Sequence, residues 1–290
     1  MGNTPSFALD DNESVASRIP QRPSYGDRIQ RAHDLAERYS SSAELLRFYA
    51  QIAFHQQHVF ESLLRGSELP CADSWPLLQD PLLPLFPGFA RGVAEIAPAP
   101  APVREHAANL ARSGVAEQIA FLTKFWSTGF SGQGDGENES TAVDRFIALG
   151  FLQPYAEWLA QFRQAVPGSP RHATCLVCSS EPACAVLREQ DHGARRDLIC
   201  SVCMNEWTFE RRVCPGCGED RFKLLPVFTP EETPHVRIDA CDTCKHYIKT
   251  VDMTKDGLAV PVVDELAAVS LDLWAREQGY IKLRTNLVAL

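Results

Sequence analysis

Four C-x-x-C pairs, Cys175/Cys178, Cys200/Cys203, Cys214/Cys217 and Cys241/Cys244, take up eight of the chain's ten cysteines within one quarter of its length. Two residues between cysteines allow a tight turn. It sets both sulfurs on one side with backbone N–H groups facing them, and two such turns supply the four thiolates of a tetrahedral site. One pair is half a site, so four pairs predict two mononuclear centres. The spacing favours sequential combination: 21 residues separate Cys178 from Cys200 and 23 separate Cys217 from Cys241, against 10 between Cys203 and Cys214. Crossed pairing stays open on spacing alone.

The residues between the pairs have the composition of hairpins. Ala183 to Glu189 and Arg195 to Ile199 flank a polar turn, Gln190-Asp191-His192-Gly193, while Lys223 to Phe228 and His235 to Ala240 flank a Pro/Glu-rich one. Turn, hairpin, turn is the layout of a zinc ribbon. It occurs twice, with Cys175 and Cys214 offset by 39 residues and Cys200 and Cys241 by 41. A unit of about 40 residues is close to the lower limit for folding on its own core, so a structural metal is expected. The competing chemistry is dithiol exchange, because C-x-x-C also lowers thiol pKa. No pair follows a βαβ pattern and the pairs come as matched sets, which favours metal. Tetrahedral thiolates accept zinc and also a single iron as in rubredoxin.

The rest of the chain must carry these sites. With 290 residues, 45% of them apolar, it can bury a substantial core. A formal net charge of −9 argues against a grip on nucleic acid or anionic membrane, and Arg171 to Gly257 holds 12 Lys/Arg against 14 Asp/Glu. No apolar run is long enough for a membrane span. Met1 to Pro20 lacks the basic and apolar regions of a secretory signal, so a reducing cytoplasm is the expected compartment. The opening Met1 to Ser6 fits a myristoylation pattern, which is read as coincidence.

Helical periodicity dominates before the cysteines. Ile29, Ala32, Leu35, Ala36 and Tyr39 follow Asp27 at helical spacing. A second helix from about Ser42 carries Leu45, Leu46, Tyr49, Ile52, Ala53, Phe60, Leu63 and Leu64 and stops before Gly66. His55 and His58 sit one turn apart there, with no carboxylate or third ligand in view, and read as a solvated or hydrogen-bonded pair. Pro70 to Pro87 predicts irregular segments. A helix around Phe89 to Ile96 precedes the linker Pro98 to Pro102, and helices follow over Val103 to Arg112 and Val115 to Ser127. Ser131 to Ser140 is an acidic glycine-rich loop. Thr141 to Val166 is the last helix of this half, kinked at Pro154, and Pro167-Gly168-Ser169-Pro170 marks a boundary. Cys71 and Cys184 are read as ordinary small side chains. After the ribbons a helix from Pro261 through Gln278 places Val263, Leu266, Ala267, Ser270, Leu273 and Trp274 on one side and needs a partner surface.

No nucleotide-binding, hydrolase or metalloprotease motif is present. The residues that carry a likeness are Cys200-Ser201-Val202-Cys203-Met204-Asn205-Glu206-Trp207, Arg211-Arg212-Val213-Cys214-Pro215-Gly216-Cys217, Ala240 to Lys249, and Val263 to Asp272, with Arg47-Phe48-Tyr49 and Gln56 in the helical part. They resemble the formate dehydrogenase accessory (formation) protein family, of FdhE type, from about Tyr25 to the C-terminus. The first pair departs from the family, which often has Pro after the first Cys and Gly after the second, where this chain has Leu176 and Ser179.

The expected fold is α+β: a tail (1–24), an all-α helical domain (25–167), two tandem zinc-ribbon or rubredoxin-like metal-binding units of four cysteines each (171–210 and 211–257), and a C-terminal helix and tail (258–290). The resemblance implies a non-enzymatic cytoplasmic factor for maturation of molybdenum- or tungsten-dependent respiratory formate dehydrogenases. It would bind the catalytic subunit and a metal, with iron favoured over zinc, through Cys175, Cys178, Cys200, Cys203, Cys214, Cys217, Cys241 and Cys244. Neither nucleic acid nor a membrane is expected as a partner, and a homo-oligomer is left open. The alternative reading is a rubredoxin-like electron carrier.

Overall fold

The computed structural model describes residues 22–66, 79–128, 139–163, 171–190 and 193–288. The opening Met1 to Ser6, Cys71, nearly all of the glycine-rich loop and the Pro167 to Pro170 boundary lie outside them. Helix α1 (Tyr25–Arg38) starts at a capping box, in which Ser24 and Asp27 satisfy each other's backbone N–H groups. It packs on α2 (Ala43–Gly66), whose Leu46, Ile52, Ala53 and Leu63 are buried while Leu64 stays exposed. After the short α3 (Gln79–Leu82), α4 (Phe86–Glu95) and α5 (Ala101–Arg112) pack on each other. The proline stretch at 98–102 is thus a tight corner, with Pro102 in the first turn of α5. Helix α6 (Val115–Ser127) completes the layer around α7 (Glu139–Ala160).

From Phe146 onward helix α7 is buried on every side, with Phe151, Leu152, Tyr155, Ala156 and Trp158 almost wholly inaccessible. Such a helix shows little periodicity, because it has no solvent face. Pro154 lies inside it and cannot donate to the Gly150 carbonyl. Gln56 of α2 supplies the missing donor, its Nε2 2.9 Å from that oxygen. A buried ion pair ties α1 to α7: Arg28 meets Glu157 through both terminal nitrogens at 2.9 and 2.8 Å, and Tyr25 donates to the same carboxylate at 2.9 Å.

The cysteine half is one sheet. Strands β1 (Pro182–Gln190), β2 (Gly193–Cys200), β3 (Glu206–Thr208), β4 (Val227–Phe228), β5 (Val236–Ala240) and β6 (His246–Asp252) lie in the order β3-β2-β1-β6-β5-β4. The first hairpin forms where the sequence placed it. The second differs: Pro226, which cannot donate to a ladder, leaves a strand of two residues after a 3-10 turn at Phe222–Leu224. Strand β5 pairs chiefly with β6, a strand not anticipated. Parallel pairing of β6 with β1, Ala185 to Leu187 beside Thr250 to Asp252, fuses the two repeats.

The C-terminal helix is broken. Helix α8 (Pro261–Ala267) ends and α9 (Val269–Glu277) begins at Ala268, where the buried Lys249 ammonium donates to the carbonyls of Glu265, at 2.6 Å, and Ala268, at 3.3 Å. The buried face then shifts from Val263 and Leu266 to Leu271 and Ala275, leaving Leu273 exposed. Helix α8 packs on α1, α2, β1 and β6, whereas α9 packs on β5 and on β7 (Ile281–Lys282), which pairs with β6. One hydrophobic cluster runs from Tyr25 through α7 to Cys175, Cys200, Cys203, Phe209 and Leu287, so the helices and the first ribbon share a core.

Candidate metal centres

All four C-x-x-C turns repeat one hydrogen-bond pattern. The N–H of the first cysteine donates to the carbonyl five residues on: Cys175 to Ser180, Cys200 to Asn205, Cys214 to Glu219 and Cys241 to His246, at 2.8 to 2.9 Å. The residue after the second cysteine is left-handed each time, with φ of 63° at Ser179, 53° at Met204, 77° at Gly218 and 59° at Lys245. Glycine adopts that conformation freely and other residues at a cost of about 1–2 kcal/mol. Three of the four turns therefore hold a residue that local preference disfavours, which is the pattern of a functional constraint.

The turns aim their sulfurs inward. Cys175 Sγ lies 3.6 Å from Cys203 Sγ and Cys178 Sγ 3.4 Å from Cys200 Sγ; in the second cluster Cys214 and Cys244 are 3.7 Å apart and Cys217 and Cys241 3.6 Å. Within each group of four all sulfurs lie within 4.8 Å of one another, and the grouping is sequential. These separations exceed the roughly 2 Å of a disulfide. They match the edge of about 3.8 Å that a tetrahedron takes when its metal–sulfur bonds are about 2.3 Å. Backbone N–H groups also point at sulfur, from Val177 to Cys175, Val202 and Cys203 to Cys200, and Gly216 to Cys214. An S₄ donor set with N–H donors behind it fits a soft tetrahedral cation such as zinc or iron.

The clusters differ in surroundings. In the first, burial pushes the Cys200 and Cys203 thiols well up, while hydrogen bonds from Cys175, then Cys200 and Cys203, pull Cys178 far down. A divalent ion would resolve that conflict by replacing the protons. The helical half grips this cluster. Gln153 Nε2 donates to the Ser201 carbonyl at 3.1 Å and Arg163 to that of Val177 at 3.0 Å, and Arg22 reaches Asn205 at 3.0 Å. The second cluster sits at the surface, with Cys217 exposed. Its supports are Thr243 on Glu219 at 2.6 Å and Tyr280 on Asp242 at 2.9 Å. Burial, foremost, pushes the Cys244 thiol up to about 11.

The other residues considered for chemistry fall elsewhere. Cys184 is wholly buried in β1 among Val186, Ile199 and Met204, where burial pushes its thiol up. The His55 ring fills the space over Gly92 of α4, and His58 stands edge-on to Phe54 at 4.6 Å; they share no metal-fit group among the described residues. A third compact group, His235, Asp256 and Asp264, already surrounds a cation, because Arg31 donates to Asp256 at 2.6 Å and to Asp264 at 3.0 Å. Sequence reasoning missed Gln153, Arg163 and Arg31. Each acts across more than ten residues of chain, and none stands in a motif.

Residues 214–289 match the family described as FdhE, C-terminal domain, a stretch that opens at the first cysteine of the second cluster. This part of the chain is similar to the FdhE C-terminal domain. Among curated proteins, the FdhE homolog of Aquifex aeolicus is 37% identical over 145 residues, half of this chain and 51% of that protein. The FdhE homolog of Shewanella oneidensis is 35% identical over 116 residues, 40% of this chain and 38% of that protein. The chain thus spans about half the length, or less, of these FdhE relatives. The crystal structure of FdhE from Pseudomonas aeruginosa superposes with a TM-score of 0.66 at 24% identity, covering 93% of this chain and 96% of that one, so the fold is shared nearly throughout. The α+β arrangement and the FdhE resemblance read from the cysteines both hold. Among the described residues no helix is long and apolar enough to cross a membrane.

Proposed function

We propose that the chain is a cytoplasmic, non-catalytic accessory protein for maturation of a respiratory formate dehydrogenase. In this reading the cysteine half docks the enzyme's catalytic subunit; Cys175, Cys178, Cys200 and Cys203 hold one metal ion and Cys214, Cys217, Cys241 and Cys244 a second. The observation that carries it is the coincidence of the FdhE C-terminal domain with the second four-cysteine cluster. A bound ion would cross-link turns otherwise joined by hydrogen bonds, a contribution of about 10 kcal/mol, and iron would add a one-electron couple. The protein's own residues set the turns, shield the first site and leave the second at the surface.

The test is gentle anaerobic purification of the tagged protein from formate-respiring cells, beside a Cys241→Ala/Cys244→Ala variant, with metal analysis of both. Enrichment of a formate dehydrogenase catalytic subunit by the wild type and not by the variant supports the reading. Its absence while the enzyme is expressed overturns it. Exposed Cys217 favours a second reading, an electron carrier, because it gives an electron a short path to the second site. Reversible bleaching of a ferric-thiolate spectrum with electron delivery to a partner supports that, and tightly held zinc in both sites eliminates it.

A further inference from the structure

A cleft of about 330 Å³ opens beside the second cluster, between β2, β5 and the segment from Arg211 to Val227. The chain is acidic, yet this cleft gathers Arg196, Arg211, Arg212 and Arg237 against one carboxylate, Asp239. Asp239 is already engaged, by Arg237 Nε at 2.8 Å and Thr250 Oγ1 at 2.7 Å. Arg211 and Arg212 are exposed and make no hydrogen bond or ion pair among the described residues. Arg196 lines the cleft with 2% of its surface exposed. One terminal nitrogen donates to the Val213 carbonyl at 3.1 Å; Nε and the other terminal nitrogen are buried without a hydrogen bond, the latter 3.4 Å from Asp239. Arg196 thus adds positive charge to the wall of the cleft that Asp239, shared with Arg237 and Thr250, offsets only in part. Phe222, 73% exposed, and Val227, 51% exposed, give the same opening an apolar side.

A purely structural account would have the arginines offset the charge of the thiolate cage. Arg196 lies close enough to Cys214 for that. It leaves the two unpaired arginines and the exposed aromatic at the mouth without a role.

We propose that this cleft takes a carboxylate side chain carried on an apolar stretch of a partner polypeptide, held by Arg211 and Arg212 at its mouth and by Phe222 and Val227 against the flanking apolar residues. A small inorganic anion would meet the arginines and leave the apolar side unused, so the acidic segment fits the lining better. This rests on the reading of the chain as a docking factor, but its test needs no formate dehydrogenase. Co-purification without peptide binding overturns the cleft proposal alone. Peptide binding without co-purification overturns only the client.

The probe is a fluorescein-labelled heptapeptide with two glutamates between leucines, beside its glutamine counterpart, titrated by fluorescence anisotropy against metal-replete protein. The glutamate peptide is expected to bind at least tenfold more tightly than the glutamine peptide and to weaken as salt rises. Arg211→Ser/Arg212→Ser should reduce its affinity at least tenfold, and Phe222→Ser severalfold, with metal content equal to wild type in each. Equal affinity for both peptides, undiminished binding by the arginine variant, or stoichiometric exclusion of the peptide by inorganic phosphate that itself binds Phe222→Ser normally would each overturn it.

Discussion

Gln56 joins three parts of the molecule, and replacing it by leucine measures how. Its Nε2 donates to the Gly150 carbonyl at 2.9 Å and to Gln153 Oε1 at 3.1 Å, and Gln153 passes the chain on to the Ser201 carbonyl inside the Cys200–Cys203 turn. Both glutamines are buried, 1% and 4% exposed. Gln56→Leu orphans two buried acceptors, at about 1–3 kcal/mol each, because Pro154 has no N–H to return to Gly150. Burial of the leucine offsets about 1–2 kcal/mol. The net loss is about 2–3 kcal/mol, which lowers Tm by about 3–5 °C in a chain of this size. Pro154→Ala restores an N–H four residues beyond Gly150, so the double variant should be about 1 kcal/mol more stable than the sum of the single changes. Calorimetry of the four proteins, with metal content matched, closes the cycle. If Gln56→Leu costs the same in both backgrounds to within about 0.3 kcal/mol, the bond to Gly150 is not what Gln56 contributes.

The two clusters should part with metal in order. A chelator is expected to empty the second, where Cys217 is exposed, before the first, and alkylation during chelation should mark Cys217 first; simultaneous loss would contradict the difference in burial. At the first turn, Ser179 is exposed with φ of 63°. Ser179→Gly should stabilise by about 0.5–1 kcal/mol and Ser179→Val destabilise by about 1–2 kcal/mol in thermal melts; the reverse order would mean the left-handed turn is not strained. Asp264 is wholly buried between Arg31, His235 and the Val260 N–H. Asp264→Asn should cost about 3 kcal/mol by urea titration, since it leaves Arg31 half-buried with Asp256 alone; a cost below about 1 kcal/mol would refute the clamp. Burial alone would raise Glu265, but the ammonium groups of Lys249 and then Lys282 outweigh it and hold it down at about 2. Its stabilisation is present above the unfolded value near 4.3 and is lost as pH falls towards 2, about 3 kcal/mol in all. The gap between wild type and Glu265→Gln should narrow over that window, and a constant gap would show the shift is absent.

The cysteine centres were legible because their determinants are local. Two residues between thiols set a turn, 21 and 23 residues allow a return strand, and helical faces such as Leu35/Ala36 and Ile52/Ala53 repeat within one turn of backbone. Other features depend on partners far along the chain. His246 to Asp252 carries the β-formers Tyr247, Ile248, Thr250 and Val251, but its place between two partners is not local: β5 pairs on one edge and β1, some sixty residues earlier, on the other. The periodicity from Pro261 to Gln278 reads as one helix, and only Lys249, buried beneath it, draws the Glu265 and Ala268 carbonyls aside and breaks it. At Ser179, Met204 and Lys245 local preference opposes the left-handed turn, so its cause is the fourfold closure of sulfurs from another part of the chain. By itself, then, the sequence determined which cysteines are candidate ligands and favoured their sequential combination, through short-range geometry. The tertiary structure decided how deeply each site is buried, what grips it and where the arginines converge, because those depend on contacts between segments that spacing does not relate.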